Sequence, residues 1–424
     1  MLSSTSTHRI SRWAPGICLR RHPADIYLKL RCRSVHSTAG LPEPGLRKLT
    51  PLDTKRIAQK HAPQVKLPPR DQWVKAIGAL LTHKPLQGRI SINNPETAAK
   101  MANALIPEGA KDKVIVEAYP GPGELTRALL NLPRERIRKI IVLESIAEFS
   151  DWLDPLAEVD DRITVLKMDP YDWATYETMI TDGHLSDVPV LDWDAGVHPQ
   201  LHFIQHLPSI VMGEQLLNQY VRTMPDRHWF FKYGRVTLDL ICSTRMHQRL
   251  TYPPGNSNRG KIGVLCETAA ELSVPLAHEE MFPYNDHFFP PTTEKGLSLT
   301  GAKSNTMSRR SVGFPHSVLR LVPLENQAIK PRELDIWDFV LRKLFISKAT
   351  PVAKAIPTLA PGAASILKTL TDPSKPADQR LDVKKTPREL LIPEWRLIVD
   401  AFQQWPFRPA NMNIEADLLP QVRK

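Results

Sequence analysis

Cysteine is scarce in this chain of 424 residues: there are four, and Cys18 and Cys32 lie within the first forty. Cys242 and Cys266 stand too far apart for a zinc-ligand pair and are too few for a disulfide framework, so both are expected as buried thiols and no metal site is expected. Long apolar runs are missing as well. A membrane helix needs about 20 uninterrupted apolar residues, whereas VTLDLICS and WDFVLRKLF are short and broken by charge. That excludes a transmembrane span, and no membrane partner is expected. Neither repeats of solenoid length nor heptads occur, which removes solenoid and coiled-coil architectures. Acids are nearly missing from the first forty residues, where Asp25 alone faces Arg9, Arg12, Arg20, Arg21, Lys29, Arg31 and Arg33.

That acid-poor, Ser- and Arg-rich start, with Ile10, Trp13 and Ile17 on one helical side, resembles a mitochondrial transit peptide over residues 1–40. Cleavage is expected near Arg33 to Ser37, and the mature chain would then reside in the mitochondrial matrix. Loss of seven bases and one acid lowers the net charge from +11 to about +5, which is still basic and compatible with a nucleic-acid partner. The 39 prolines concentrate at 41–70, around 251–291 and beyond 350, as long loops and linkers would. At 42% hydrophobic the chain can bury a full core and suits two domains with extensions.

The middle of the chain reads as α/β. Val114–Val116 is a short β-branched run that leads into EAYPGPGELTRALL, where Gly121 and Gly123 permit a tight strand-to-helix turn and close backbone approach. A second strand, Ile140–Leu143, ends in Glu144, roughly 20 residues beyond the glycines, the spacing at which an acid grips a ribose diol. A third, Ile163–Leu166, is followed by Asp169. Such carboxylates sit where open α/β sheets bind ligands, although each could also be a solvated loop acid. A helix begins at Asn94-Pro95 and is expected to cover the cleft. Leu201–Ile204 and YGRVTLDLICS read as fourth and fifth strands. Helices are expected near 333–347, 361–370 and 386–404, with no strands there.

The ordered series NNPETAAKMANAL, EAYPGPGELTRALL, VLES, VLKMDPYDW, HLPS, DHFFPP and VLRLVPL resembles the rRNA adenine dimethyltransferase family over roughly residues 85–405, most nearly its fungal mitochondrial transcription-factor branch. The resemblance implies a class I, Rossmann-like S-adenosylmethionine-dependent methyltransferase domain over 85–328, after a Pro-rich extension over 41–84. A small C-terminal helical domain over 329–404 and a mobile tail over 405–424 would follow. It implies S-adenosylmethionine as cofactor, retained or vestigial, with Gly121 and Gly123 near its methionine part, Glu144 on the ribose, Asp169 at the adenine amino group and Glu117 in the same cleft.

Active family members carry Asn-Leu-Pro followed by Tyr or Phe where this chain has His206-Leu207-Pro208-Ser209. An extruded adenine needs an aromatic face and amide acceptors. A neutral His lacks the amide carbonyl, and Ser209 has no π-face. Phe288 fits the family's second aromatic, either as a base-stacking residue or as a loop anchor, and Trp405 and Arg408 are further candidates for unpaired bases and phosphates. The branch resemblance implies a transcription initiation factor whose partners are the single-subunit mitochondrial RNA polymerase and promoter DNA. The alternative is a working small-subunit rRNA adenine methyltransferase, with rRNA as substrate. A metabolic enzyme on a similar sheet would not need the basic helical appendage.

Overall fold

The computed structural model describes residues 66–77, 88–291, 313–410 and 412; the expected presequence and tail residues 413–424 lie outside them. The strands are β1 (Ser91–Ile92), β2 (Lys113–Ala118), β3 (Ile137–Leu143), β4 (Ile163–Leu166), β5 (Val197–His206), β6 (Arg235–Ser243), β7 (Ala270–Leu276), β8 (Phe288–Phe289) and β9 (His316–Pro323). Seven form one sheet in the order β4-β3-β2-β5-β6-β9-β7. β4 through β6 in that order are parallel, and β9 and β7 close the far edge antiparallel. The strands at the centre are β-branched and buried on both faces, as parallel strands covered by helices must be. β1 and β8 form a separate antiparallel pair, with Ser91 opposite Phe289 and Ile92 opposite Phe288.

The helices are α1 (Trp73–Ile77), α2 (Pro95–Leu105), α3 (Glu124–Leu130), α4 (Ala147–Val159), α5 (Trp173–Thr181), α6 (Val211–Thr223), α7 (Thr244–Thr251) and α8 (Lys261–Ala269). They are followed by α9 (Leu334–Ile346), α10 (Val352–Ala355), α11 (Ile366–Leu370) and α12 (Ile392–Gln404). α2 starts where its sequence says: the Asn94 side chain accepts from the Glu96 and Thr97 amides, and Pro95 needs no partner for an absent N–H. The expected α/β, Rossmann-like architecture is thus present.

Alternation along the strands builds two cores. Ile115, Ile140 and Val142 face Met101, Leu125 and Leu129 of α2 and α3. Val114, Val116, Ile141 and Phe203 point the other way, into an aromatic layer with Tyr176, Tyr220 and Trp229, and this core runs without a break into Trp337, Trp395 and Phe402 of the C-terminal helices. Cys242 and Cys266 are free thiols inside that core, and burial pushes each up to about 12.

Candidate functional site

β4, β3 and β2 are adjacent in the sheet, so the acids at their C-terminal ends, Asp169, Glu144 and Glu117, gather along one edge. The turn after β2 uses Gly121 (φ 63°) and Gly123 (φ 87°) in the left-handed region, and Tyr119 adopts φ 58° beside them. A side chain at Gly121 is impossible without movement, since its Cβ would stand 2.2 Å from Ser91 Oγ. The piece lying over the turn is therefore β1; the start of α2, expected to cover the cleft, comes just after it.

Each acid of this edge already has partners. Glu144 is fully buried, and Arg89 holds both its oxygens, Nη2 to Oε2 at 2.5 Å and Nη1 to Oε1 at 3.4 Å. The amides of Gly121 and Ile146 donate to the same carboxylate at 3.3 and 3.1 Å. The Asp169 side chain is exposed but accepts from the Tyr119 hydroxyl at 2.6 Å and the Tyr171 amide at 2.9 Å. Burial, chiefly, and the Asp169 carboxylate push the Tyr119 phenol well above its ordinary range, so it remains a donor. Glu117 accepts from Thr126 Oγ1 at 2.7 Å while its other oxygen is buried without a partner. Burial raises this carboxyl to about 7, against the lowering effect of Thr126 and Arg127.

The second half of the site is the segment after β5. Leu207 packs in the core, and Pro208 carbonyl lies so near Gly213 of α6 that a Cβ there would stand 1.9 Å from it. Ser209 is tied inward: its amide donates to Gly88 carbonyl at 2.8 Å, and its hydroxyl meets His316 Nε2 at 3.3 Å. His316 Nδ1 lies 2.8 Å from Phe314 carbonyl, which makes Nδ1 the donor and leaves Nε2 to accept from Ser209. Burial holds His316 down at about 4, and burial with His316 and Arg89 nearby holds His206 far below its ordinary value; both rings are neutral. His206 Nε2 is buried without a partner. Phe288 is fully buried, with its ring 5.4 Å from Tyr284, 5.0 Å from His316 and 6.4 Å from His206.

The model of one protein family, ribosomal RNA adenine dimethylase, matches residues 87–384, well over half of the chain. The chain belongs to that family. Among curated relatives, mitochondrial transcription factor 1 of Lachancea kluyveri is 24% identical over 302 residues, spanning 70% of this chain and 82% of that protein. Dimethyladenosine transferase 1, mitochondrial, of Caenorhabditis elegans is 26% identical over 251 residues, or 58% and 59% of the two chains. A solved dimethyladenosine transferase from Plasmodium falciparum superposes with a TM-score of 0.45 at 13% identity, over 73% of this chain and 96% of that one.

For this dimethylase-family chain, two of the residues expected at nucleic acid are buried in the structure. Phe288 is a loop anchor in the interior and offers no open face. Trp405 is 8% exposed: its amide closes the end of α12 on Phe402 carbonyl, and its indole packs on Phe402 and against Gly362. Arg408 is exposed. Glu144, the acid expected at the ribose of the family's methyl donor, S-adenosylmethionine, has four donors already. Sequence reasoning missed Arg89, Trp73 and His316, which lie far from the motifs they touch, and Tyr119, whose signal is that it is the one aromatic inside the glycine turn. Among the described residues no helix is long and apolar enough to cross a membrane, and no cluster of three or more metal-ligating side chains occurs.

Proposed function

We propose that this chain is a mitochondrial transcription initiation factor that acts in the matrix with the single-subunit RNA polymerase to recognise and open promoter DNA, and that it does not methylate adenine. One observation carries this reading: the segment His206 to Ser209 is packed and hydrogen-bonded inward, with Phe288 fully buried behind it. A flipped adenine requires an aromatic face and acceptors at its amino group, and without them it loses the near-attack geometry that methyl transfer demands. The names of the fungal relatives support the transcriptional role. So does a cavity of about 800 Å³ bounded by α6, α7, α8 and Lys348, where Arg245 and Lys348 stand beside Tyr252 and Gln215, while Arg249 and Lys261 are paired with Glu214 and Asp338. Cations for phosphates beside an aromatic and amides suit an unpaired strand.

The test is reconstituted initiation with the polymerase on duplex and pre-melted promoters, beside methyl transfer onto small-subunit rRNA. Strong dependence on this factor for duplex templates, with no transfer, is the expected result. Transfer at ordinary enzymatic rates would instead establish the rRNA methyltransferase reading that the name of the nematode relative favours.

A further inference from the structure

We propose that Arg89 is a built-in substitute for the methyl donor, so that the chain itself occupies and orders the cleft that a ligand orders in a working methyltransferase. This concerns the donor side of the site and stands apart from the acceptor-side observation behind the transcriptional reading.

Four observations bear on this cleft. The guanidinium satisfies both oxygens of Glu144, the acid placed for a ribose diol. Its carbon lies 4.1 Å from the centre of the Tyr119 ring and 5.7 Å from that of Phe149, so the cation is held between two aromatic faces. Two residues along the chain, Ser91 rests directly on Gly121, filling the space that the glycine leaves. Trp73 of α1 is buried in one cluster with Phe149 and Phe289, its ring 5.6 Å from Phe289, so that Phe149 is itself packed from behind.

Charge, stacking partners and a cover for the glycine turn are thus all supplied by the protein. A bound nucleoside would have to displace a charge-assisted double hydrogen bond from a buried carboxylate, which is among the stronger polar contacts a protein makes. The strand ends and the glycine turn are accordingly fixed without any ligand.

The probe is S-adenosylhomocysteine, which carries the donor's ribose and adenine, added to the full chain. Calorimetry should show no binding to the wild type at roughly millimolar ligand. Arg89→Gln, which keeps an amide donor for Glu144 but removes the cation, should bind at least ~10-fold more tightly, about 1.4 kcal/mol. Equal binding by wild type and variant, or a folded variant that still does not bind, would overturn the proposal.

Should the variant fail to fold by circular dichroism, labelling of the wild type with phenylglyoxal and peptide mass spectrometry decides. Arg89 should resist modification while exposed Arg245 reacts, with no change on adding the nucleoside. Modification of Arg89 at the rate of Arg245, or its exposure by the nucleoside, would overturn the assignment. Donor binding by the wild type would end this proposal and leave the promoter assay to judge transcription by itself.

Discussion

Alanine at Gly121 should destabilise the fold by about 2–4 kcal/mol, of which about 1–2 comes from holding an L-residue in the left-handed region and the rest from forced overpacking. The second part is specific to this structure, because the new Cβ would meet Ser91 Oγ at 2.2 Å and Ser91 Cβ at 3.1 Å. Shortening Ser91 to alanine removes the nearer atom. In a Ser91→Ala background, where only the Cβ contact at 3.1 Å remains, the same glycine change should therefore cost little beyond the conformational part, giving a coupling of about 1–2 kcal/mol between the two sites. Urea unfolding of the four proteins, followed by tryptophan fluorescence, measures this directly. Equal cost of Gly121→Ala in both backgrounds would show that β1 does not press on the turn, and the glycine would then be kept for some other approach, such as that of a ligand.

Trp405→Ala should cost about 3–5 kcal/mol of stability, as for a buried tryptophan, visible as a lower urea midpoint; selective loss of DNA binding at unchanged stability would return this residue to the nucleic-acid surface. Acid should weaken the fold between pH 6.5 and 4. His316 is held neutral at about 4 while the unfolded chain takes up its proton near 6.5, so about 3 kcal/mol present above that window is lost as pH falls through it, and His316→Asn should flatten this limb. Glu117 has the opposite sign. Raised to about 7, it favours the folded state at low pH and costs stability as pH climbs from 4.5 through 7, so Glu117→Gln should gain on the wild type above pH 7; parallel pH–stability curves for the two would refute this.

Local chemistry made much of this protein legible. The runs Val114–Val116, Ile140–Leu143 and Ile163–Leu166 lie within or coincide with β2, β3 and β4, because β-branched residues between turn signals have few other solutions, and Asn94-Pro95 begins α2 because its side chains cap a helix in any context. The expected fourth strand is longer than its apolar run: β5 starts at Val197, which pairs with Arg235 of β6 ahead of a shift in register that ends at His202. β7, with exposed positions and Pro275 inside it, carries no clear period and was not foreseen.

By itself, then, the sequence determined the α/β order, the glycine turn, the row of strand-end acids and the place of the His206–Ser209 segment after a strand, since each depends on residues close together in the chain. Only the tertiary structure decided what those groups touch. Arg89 reaches Glu144 across 55 residues and His316 reaches Ser209 across 107. Whether a carboxylate meets a ligand or an arginine, and whether an aromatic faces solvent or the core, depends on distant segments brought together by burial, and no local pattern encodes that pairing.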